Sequence, residues 1–500
     1  LYFAFDCYDP EPHKIKTSLA ERDKMRADDW ICINLDSFND QQALYCLYVN
    51  PNGIQGDSKF AAGTEDMSVD AVWYSAGARK DSGYTVEVRV PLKSIRYPDK
   101  NPTTMTVFFE RYVSRSTEHS SYPHLNPEKG YAFLTQMIPM VYEDLKHYTL
   151  FELLPAVTYS HRSSNSQGSL ATTEKRGDLS LTTKYGITSD LILDATYNPD
   201  FSQIESDAGQ VDVNLRSQLF FAEKRPFFLE GQEIFAMAAS DNSQLDPLIS
   251  VVHTRTIVDP LAGLKLSGKL GEGNTLSVLY SMDDLANDPS GRWAHIPVLR
   301  YKRALTGDSF VGGMAASREL RTGANRVGAL DAQIRVGESS MLEGQALLSQ
   351  ANIPDGGPRG SGHSVGLRLW YDTQSLDYNL AFREISDNFR LDMGFLTRTG
   401  VVDGAFRIRP KFYPEGGMFR RIDLEAFTGQ TKDRPSGMWE TSNYAALYGF
   451  FRNALNLRFR YDYATEVFLN QRFRIDSFLA SGSGLLTNWL SMNISYRRGK

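Results

Sequence analysis

The chain has 500 residues, 41% of them hydrophobic and 12% aromatic, and a formal net charge of −6. That length exceeds what one ordinary core serves, so more than one domain is expected. So small a charge imbalance speaks against nucleic acid as a partner, and no run of about 18 apolar residues offers a membrane-crossing helix. A membrane β-barrel stays open, because its strands need only about 10 residues of alternating polarity.

Residues 1–135 read as one unit. Strands are expected at 1–8, 30–36, 43–50, 70–77, 84–90 and 104–113, each β-branched or aromatic and bounded by turn residues. "DDWICINLD" sets Ile31, Ile33 and Leu35 on one face against Trp30, Cys32 and Asn34 on the other, the pattern of a half-buried strand in an antiparallel sandwich. The three cysteines, Cys7, Cys32 and Cys46, all lie in this unit. A hairpin around "SFNDQQ" would bring Cys32 near Cys46, as a disulfide or as two buried thiols. There is no C-x-x-C, so a zinc site is not expected. Residues 136–149 read as a connector.

From about residue 150 the pattern becomes monotonous. In "LNLRFRYDY", Leu457, Phe459, Tyr461 and Tyr463 share one face, and Arg458, Arg460 and Asp462 share the other. "LKLSGKL" opposes Leu264 and Leu266 to Lys265, Ser267 and Lys269; "TLSVLYSM" aligns Leu276, Val278, Tyr280 and Met282. "SLDYNLAFRE" opposes Leu376, Tyr378, Leu380 and Phe382 to Asp377, Asn379 and Arg383. Period two makes these strands. Short turns (186–190, 271–274, 306–309, 337–340, 373–375, 414–417, 482–484) alternate with longer polar loops (283–293, 351–362, 428–438). A soluble sheet would also segregate its faces. A run of roughly 16–18 such strands with alternating connector lengths suits an outer-membrane barrel, with apolar rows toward lipid and charged rows inward. The chain opens mid-strand and stops in "SMNISYRRGK", so the barrel is expected to be incomplete at both chain ends.

One stretch breaks the monotony. Residues 199–235 hold Asp200, Glu205 and Asp207, then Glu223-Lys224-Arg225-Pro226 and a Phe pair. Acids at such intervals invite a paired-carboxylate glycosidase reading. The structural reading is a segment folded into or over the barrel mouth, its acids finding the barrel's basic groups and Pro226 setting the bend. "GHSVG" (362–366) matches a nucleophile-elbow pattern, but a loop precedes it and a strand follows, and His363 is the last histidine of the chain.

The run "LDATYNPDFSQIESDAGQVDVN…FFAEKRPFFLEG" resembles a signature of a bacterial, Bacteroidota-type outer-membrane β-barrel family of unknown function. In that family the barrel follows a domain like the family 9 carbohydrate-binding module. "LYFAFDCYD", "RDKMRADDWICINLDSFND", "YVNPNGIQGD", "DAVWYSAG" and "GYTVEVRVPLKSIRYP" stand in that module's order, with Tyr84 where the family usually has Trp. The resemblance implies an all-β chain: a carbohydrate-binding-module-like β-sandwich at 1–135, then a large antiparallel transmembrane β-barrel at 150–500. It implies outer-membrane lipid and carbohydrate as partners; a barrel of even strand count has both termini on the periplasmic side, so the sandwich is expected in the periplasm. Trp30 and Trp73 would stack on a sugar, with Asp28 and Asp29 as polar partners. No cofactor is expected beyond a structural calcium ion at Asp28, Asp29 or Asp36. The function expected is glycan binding or carbohydrate uptake without catalysis. The alternatives are a glycoside hydrolase-type enzyme of carbohydrate catabolism and a structural or assembly barrel that has lost sugar binding.

Overall fold

The computed structural model describes residues 1–61, 64–67, 69–129, 132–146, 149–166, 169–199, 201, 218–240, 246–286, 292–352, 360–452, 455–487 and 490–499. Its amino-terminal part is a sandwich. A 3-stranded sheet runs in the order Tyr2–Tyr8, Gly83–Arg89, Tyr74–Lys80. It faces a 7-stranded sheet ordered Ile138–Tyr142, Thr103–Val113, Trp30–Asp36, Ala43–Val49, Gln55–Ala61 and Thr64–Asp66, with Glu118–Tyr122 paired to Thr103–Val113. Ile31, Ile33, Leu35, Leu47, Val49, Tyr84, Val86, Val88, Met105 and Val107 fill the space between the sheets.

Several local expectations are corrected. Trp30–Asp36 is buried along its whole length, because Met25, Leu44, Phe108 and Leu134 pack against the second face that Trp30 and Cys32 present. The strand expected at 70–77 lies at Tyr74–Lys80. Residues 138–142, inside the stretch read as a connector, form a strand antiparallel to Thr103–Val107. Cys46 lies opposite Asn34 and Cys32 opposite Tyr48; Cys7, Cys32 and Cys46 are free, buried thiols.

The second part is a 17-stranded antiparallel sheet in which every strand pairs with its chain neighbours, from Phe151–Ser166 to Leu490–Gly499. "GSG" at 482–484 belongs to the strand Gln471–Thr487, and most of 428–438 to Phe419–Asp433. Small polar residues read as turns in isolation, yet a strand paired on both sides carries them.

The sheet is curled. Nine successive strands, from Pro260–Lys269 to Val401–Phe412, touch internal residues of 223–240 and 246–257. Polarity follows the curl. Leu264, Tyr280, Leu299, Leu330, Leu348, Leu380, Phe459 and Tyr461 are exposed on the convex face, while Lys265, Ser277, Ser281, Arg300, Asp331, Gln345, Arg383 and Asp423 are buried on the concave face. A water-soluble protein places these rows the other way round.

Connectors at one end of the barrel are short: 187–190, 270–273, 305–309, 337–339 and 373–375. The sandwich docks there. Lys269 pairs with Asp40, Glu272 with Lys100, and Glu338 with Lys129 at 3.3 Å, while Arg420 donates to the Thr117 carbonyl at 2.7 Å.

Candidate functional site

The segment inside the barrel is built from short, sharply punctuated pieces. Pro226 opens the one-turn helix Pro226–Leu229, at a position where its missing N–H goes unneeded. Gly231, with φ of 75°, turns the chain into the 3-10 helix Gln232–Phe235. Phe227, Phe228, Phe235, Met237, Leu248, Val251, Val252 and Ile257 then share one cluster with wall residues Leu279, Ile296, Val298, Met314, Val327, Leu347, Ile385 and Val401. Apolar residues on the concave wall therefore occur where the segment covers them.

Ionic groups hold the segment's own two limbs together. The Glu223 carboxylate accepts from Arg225 Nε at 2.8 Å and Nη2 at 2.7 Å, and from Thr254 Oγ1 at 2.5 Å. Arg225 Nη1 donates to the Ile257 carbonyl at 2.6 Å. Burial pushes the Glu223 carboxyl up, but the Arg225 and Thr254 hydrogen bonds and the Arg225 charge outweigh it and bring it down to about 2.

The wall grips the segment's backbone. Lys265 Nζ donates to the carbonyls of Phe227 at 2.6 Å and Glu230 at 2.8 Å, and lies 3.4 Å from Asp194. Arg300 pairs with Asp331 through bonds of 2.6 and 2.8 Å and also donates to the Ile234 and Ala236 carbonyls at 3.2 and 3.1 Å. Asp331 accepts in turn from the Ala238 N–H at 2.9 Å. The neighbouring strand gives this pair room with Gly312, where a Cβ would stand 2.6 Å from the Asp331 carboxylate. Gln345 donates to the Ala239 carbonyl at 2.8 Å, and Arg383 reaches Asp246 at 2.7 Å. Buried charges persist only when paired and hydrogen-bonded, and here the segment's main chain supplies part of the pairing.

The same segment meets the sandwich. Glu230 is held by Arg96 of the sandwich and Lys184 of the wall, and Glu233 by Lys59 of the sandwich. Burial works against ionised Glu230, but the charges of Arg96, Lys184 and Lys265 prevail and hold its carboxyl near 2. A cavity of about 90 Å³ remains at this junction, lined by Phe38, Tyr45, Lys59, Glu233, Lys269 and Lys302.

Of the residues singled out from sequence, Glu223 and Arg225 are brought together, and Lys224 between them is half-buried. Asp200, Glu205 and Asp207 lie outside the described residues. Trp30 and Trp73, 9% and 3% exposed, occupy different clusters of the sandwich and do not converge on one surface. Asp28 accepts from the Ser18 N–H and hydroxyl and from Asn50; Asp29 accepts from the Ser114 N–H; Asp36 accepts from the Phe38 and Gln41 N–H groups. These buried carboxylates face donors, Asp29 through Oδ1 only, and among the described residues no group of three or more His, Cys, Asp or Glu is placed to hold a metal ion. Ser364 of "GHSVG" is buried within the strand Gly360–Asp372. Sequence reasoning passed over Lys59, Arg96, Glu230, Glu233, Arg300 and Asp331. Arg300 and Asp331 carried a signal, each following alternate apolar residues of its strand (Ala294, Ile296 and Val298; Val327 and Ala329); the others carried none.

Residues 150–239 match a family model described as a domain of unknown function, DUF5916. The match takes in the strand-and-segment region that carries the resemblance above. No curated protein matches the chain. Among solved structures, OccK11 (OpdR) of Pseudomonas aeruginosa aligns over 94% of both chains at 10% identity and a TM-score of 0.32. OpdK of the same organism, crystallised with vanillate, aligns over 94% of this chain and 97% of its own at 9% identity and a TM-score of 0.30. OccAB2 of Acinetobacter baumannii aligns over 94% and 96% at 7% identity and a TM-score of 0.32. Likeness this loose carries no weight in the reading that follows.

Proposed function

We propose that this chain is an outer-membrane β-barrel whose bore is occupied by its own residues 218–240 and 246–257 and whose periplasmic mouth is covered by its amino-terminal sandwich. The inverted polarity of the wall carries the reading: greasy rows stand free outside, and ionised rows are buried inside around the segment. Short turns belong to the periplasmic side of such barrels, and the sandwich sits on the short-turn end. Arg96 and Lys59 then latch the segment from the periplasm, and passage of a solute requires those ion pairs to open. Conductance of the purified full chain in planar bilayers tests this. The intact chain should stay closed, and Lys59→Ala/Arg96→Ala should open it; equal conductance of the two would remove the latch.

The finer reading is that the sandwich holds a glycan destined for uptake. Its supports are the resemblance and an aromatic corner in which Trp30 stacks on Tyr112 at 5.3 Å with His119 edge-on at 5.3 Å, His119 itself being exposed. A glycan array probed with the full chain should show a sugar signal that Tyr112→Ala and His119→Ala abolish. Binding unchanged in both variants rules the corner out.

A further inference from the structure

The convex wall is not uniformly greasy. Across neighbouring strands, Leu299, Ala315, Gly328 and Leu348 face one another in register, continuing to His363. Two residues with little or no side chain between two leucines make a trough, part of a groove of about 780 Å³. A Cβ at Gly328 would meet nothing within 4 Å. One row nearer the long connectors, the lining turns polar: Ser317, Arg326, Gln350 and Ser361 are again in register. Arg326, its side chain 64% exposed, gives Nε and Nη2 to Glu319, a pairing in which Nη1 is not used.

We infer that this groove seats one acyl chain of a phosphorylated, multiply acylated glycolipid of the outer leaflet, its head hydrogen-bonded by the polar row. The inference rests on the membrane reading above. The long connectors mark the outward end, so the groove lies at outer-leaflet depth with its polar row toward the headgroups. The trough supplies apolar contact along a chain, and Arg326 Nη1, Gln350 and Ser361 supply donors that fit phosphate and hydroxyl groups rather than hydrocarbon, while His363 Nε2 lies 3.4 Å from Glu384. A wall that met lipid only as solvent would need neither the gap at Gly328 nor donors above it.

The test uses the full chain, shown by heat-dependent gel mobility to be folded, and incubated with purified lipopolysaccharide or with phosphatidylcholine. Lipid surviving detergent washing is counted by mass spectrometry. The wild type should retain lipopolysaccharide, and Gly328→Leu should retain about tenfold less, the loss of roughly two buried methylene contacts. Arg326→Gln should weaken lipopolysaccharide alone, and Leu342→Phe, on the convex face outside the groove, should change nothing. Equal retention by wild type and a folded Gly328→Leu overturns the seat. Phosphatidylcholine held as well as lipopolysaccharide overturns the glycolipid assignment. A chain that never enters membranes removes the underlying reading instead, and that outcome shows in the mobility assay before any lipid is counted.

Discussion

The two halves of the barrel wall handle their inward charges differently. From Pro260 to Val401 the charges grip the internal segment, and Arg300 and Asp331 are sealed completely, each side chain 0% exposed. From Val401 onward the charges pair with one another on the wall. Arg409 bonds Asp423 at 2.9 Å and Arg407 meets Asp377 at 2.9 Å across strands, and Arg460 bonds Asp462 of its own strand at 2.7 Å while remaining 28% exposed. Tyr444 and Tyr448 lie between these arginines, with Arg460 3.8 Å and Arg409 4.8 Å from the ring centres. The same strand pattern thus serves as a clamp where a segment covers it and as an ionic ladder with partly exposed arginines where none does. Identical residue types carry very different energetic weight in the two settings.

That contrast sets the order of expected effects. Arg300→Met should be the most damaging, at about 3–5 kcal/mol, because it leaves Asp331 buried without its partner. Adding Asp331→Leu should recover much of the loss, and chemical unfolding in lipid measures both. Lys59→Ala/Arg96→Ala removes two partly buried pairs and should loosen the segment by roughly 2 kcal/mol, read as conductance and as faster proteolysis near residue 230.

Acid should act through the same latch. Glu230 is held near 2, below the usual carboxylate value of about 4.3, so its stabilisation is complete above that value and is lost as pH falls toward 2. Conductance should therefore rise between about pH 4 and 2, and Glu230→Gln should open the channel at neutral pH and flatten the profile. Arg460→Ala, in the open ladder, should cost under about 1 kcal/mol, with the difference shrinking in high salt.

How much of this was legible in the sequence also divides along physical lines. The alternation of Leu457, Phe459 and Tyr461 with Arg458, Arg460 and Asp462 fixes two faces, because a strand allows no other arrangement. It names the strands without saying which face meets water; length and connector rhythm decide that. The hairpin of Trp30–Asp36 with Ala43–Val49 was legible, but the cover over its second face was not, since Met25 comes from irregular chain before the strand and Leu134 from the distant 3-10 helix Ala132–Gln136. Trp30 and Trp73 beside aspartates read the same whether they cradle a ligand or fill a core. The pairing of Glu223 with Arg225 is local and could be seen, whereas Arg96–Glu230 joins residues 134 apart and has no sequence signature.

Spin labels report most directly on which face of the wall meets lipid. Leu330→Cys and Leu348→Cys, each 70% exposed in the native wall, can be labelled in the reconstituted full chain beside Ser349→Cys on the concave face. Labels at 330 and 348 should collide freely with dissolved oxygen and be shielded from a water-soluble nickel chelate, and the label at 349 should be shielded from both. Nickel access at 330 and 348 equal to that of an exposed loop would contradict a wall that faces hydrocarbon.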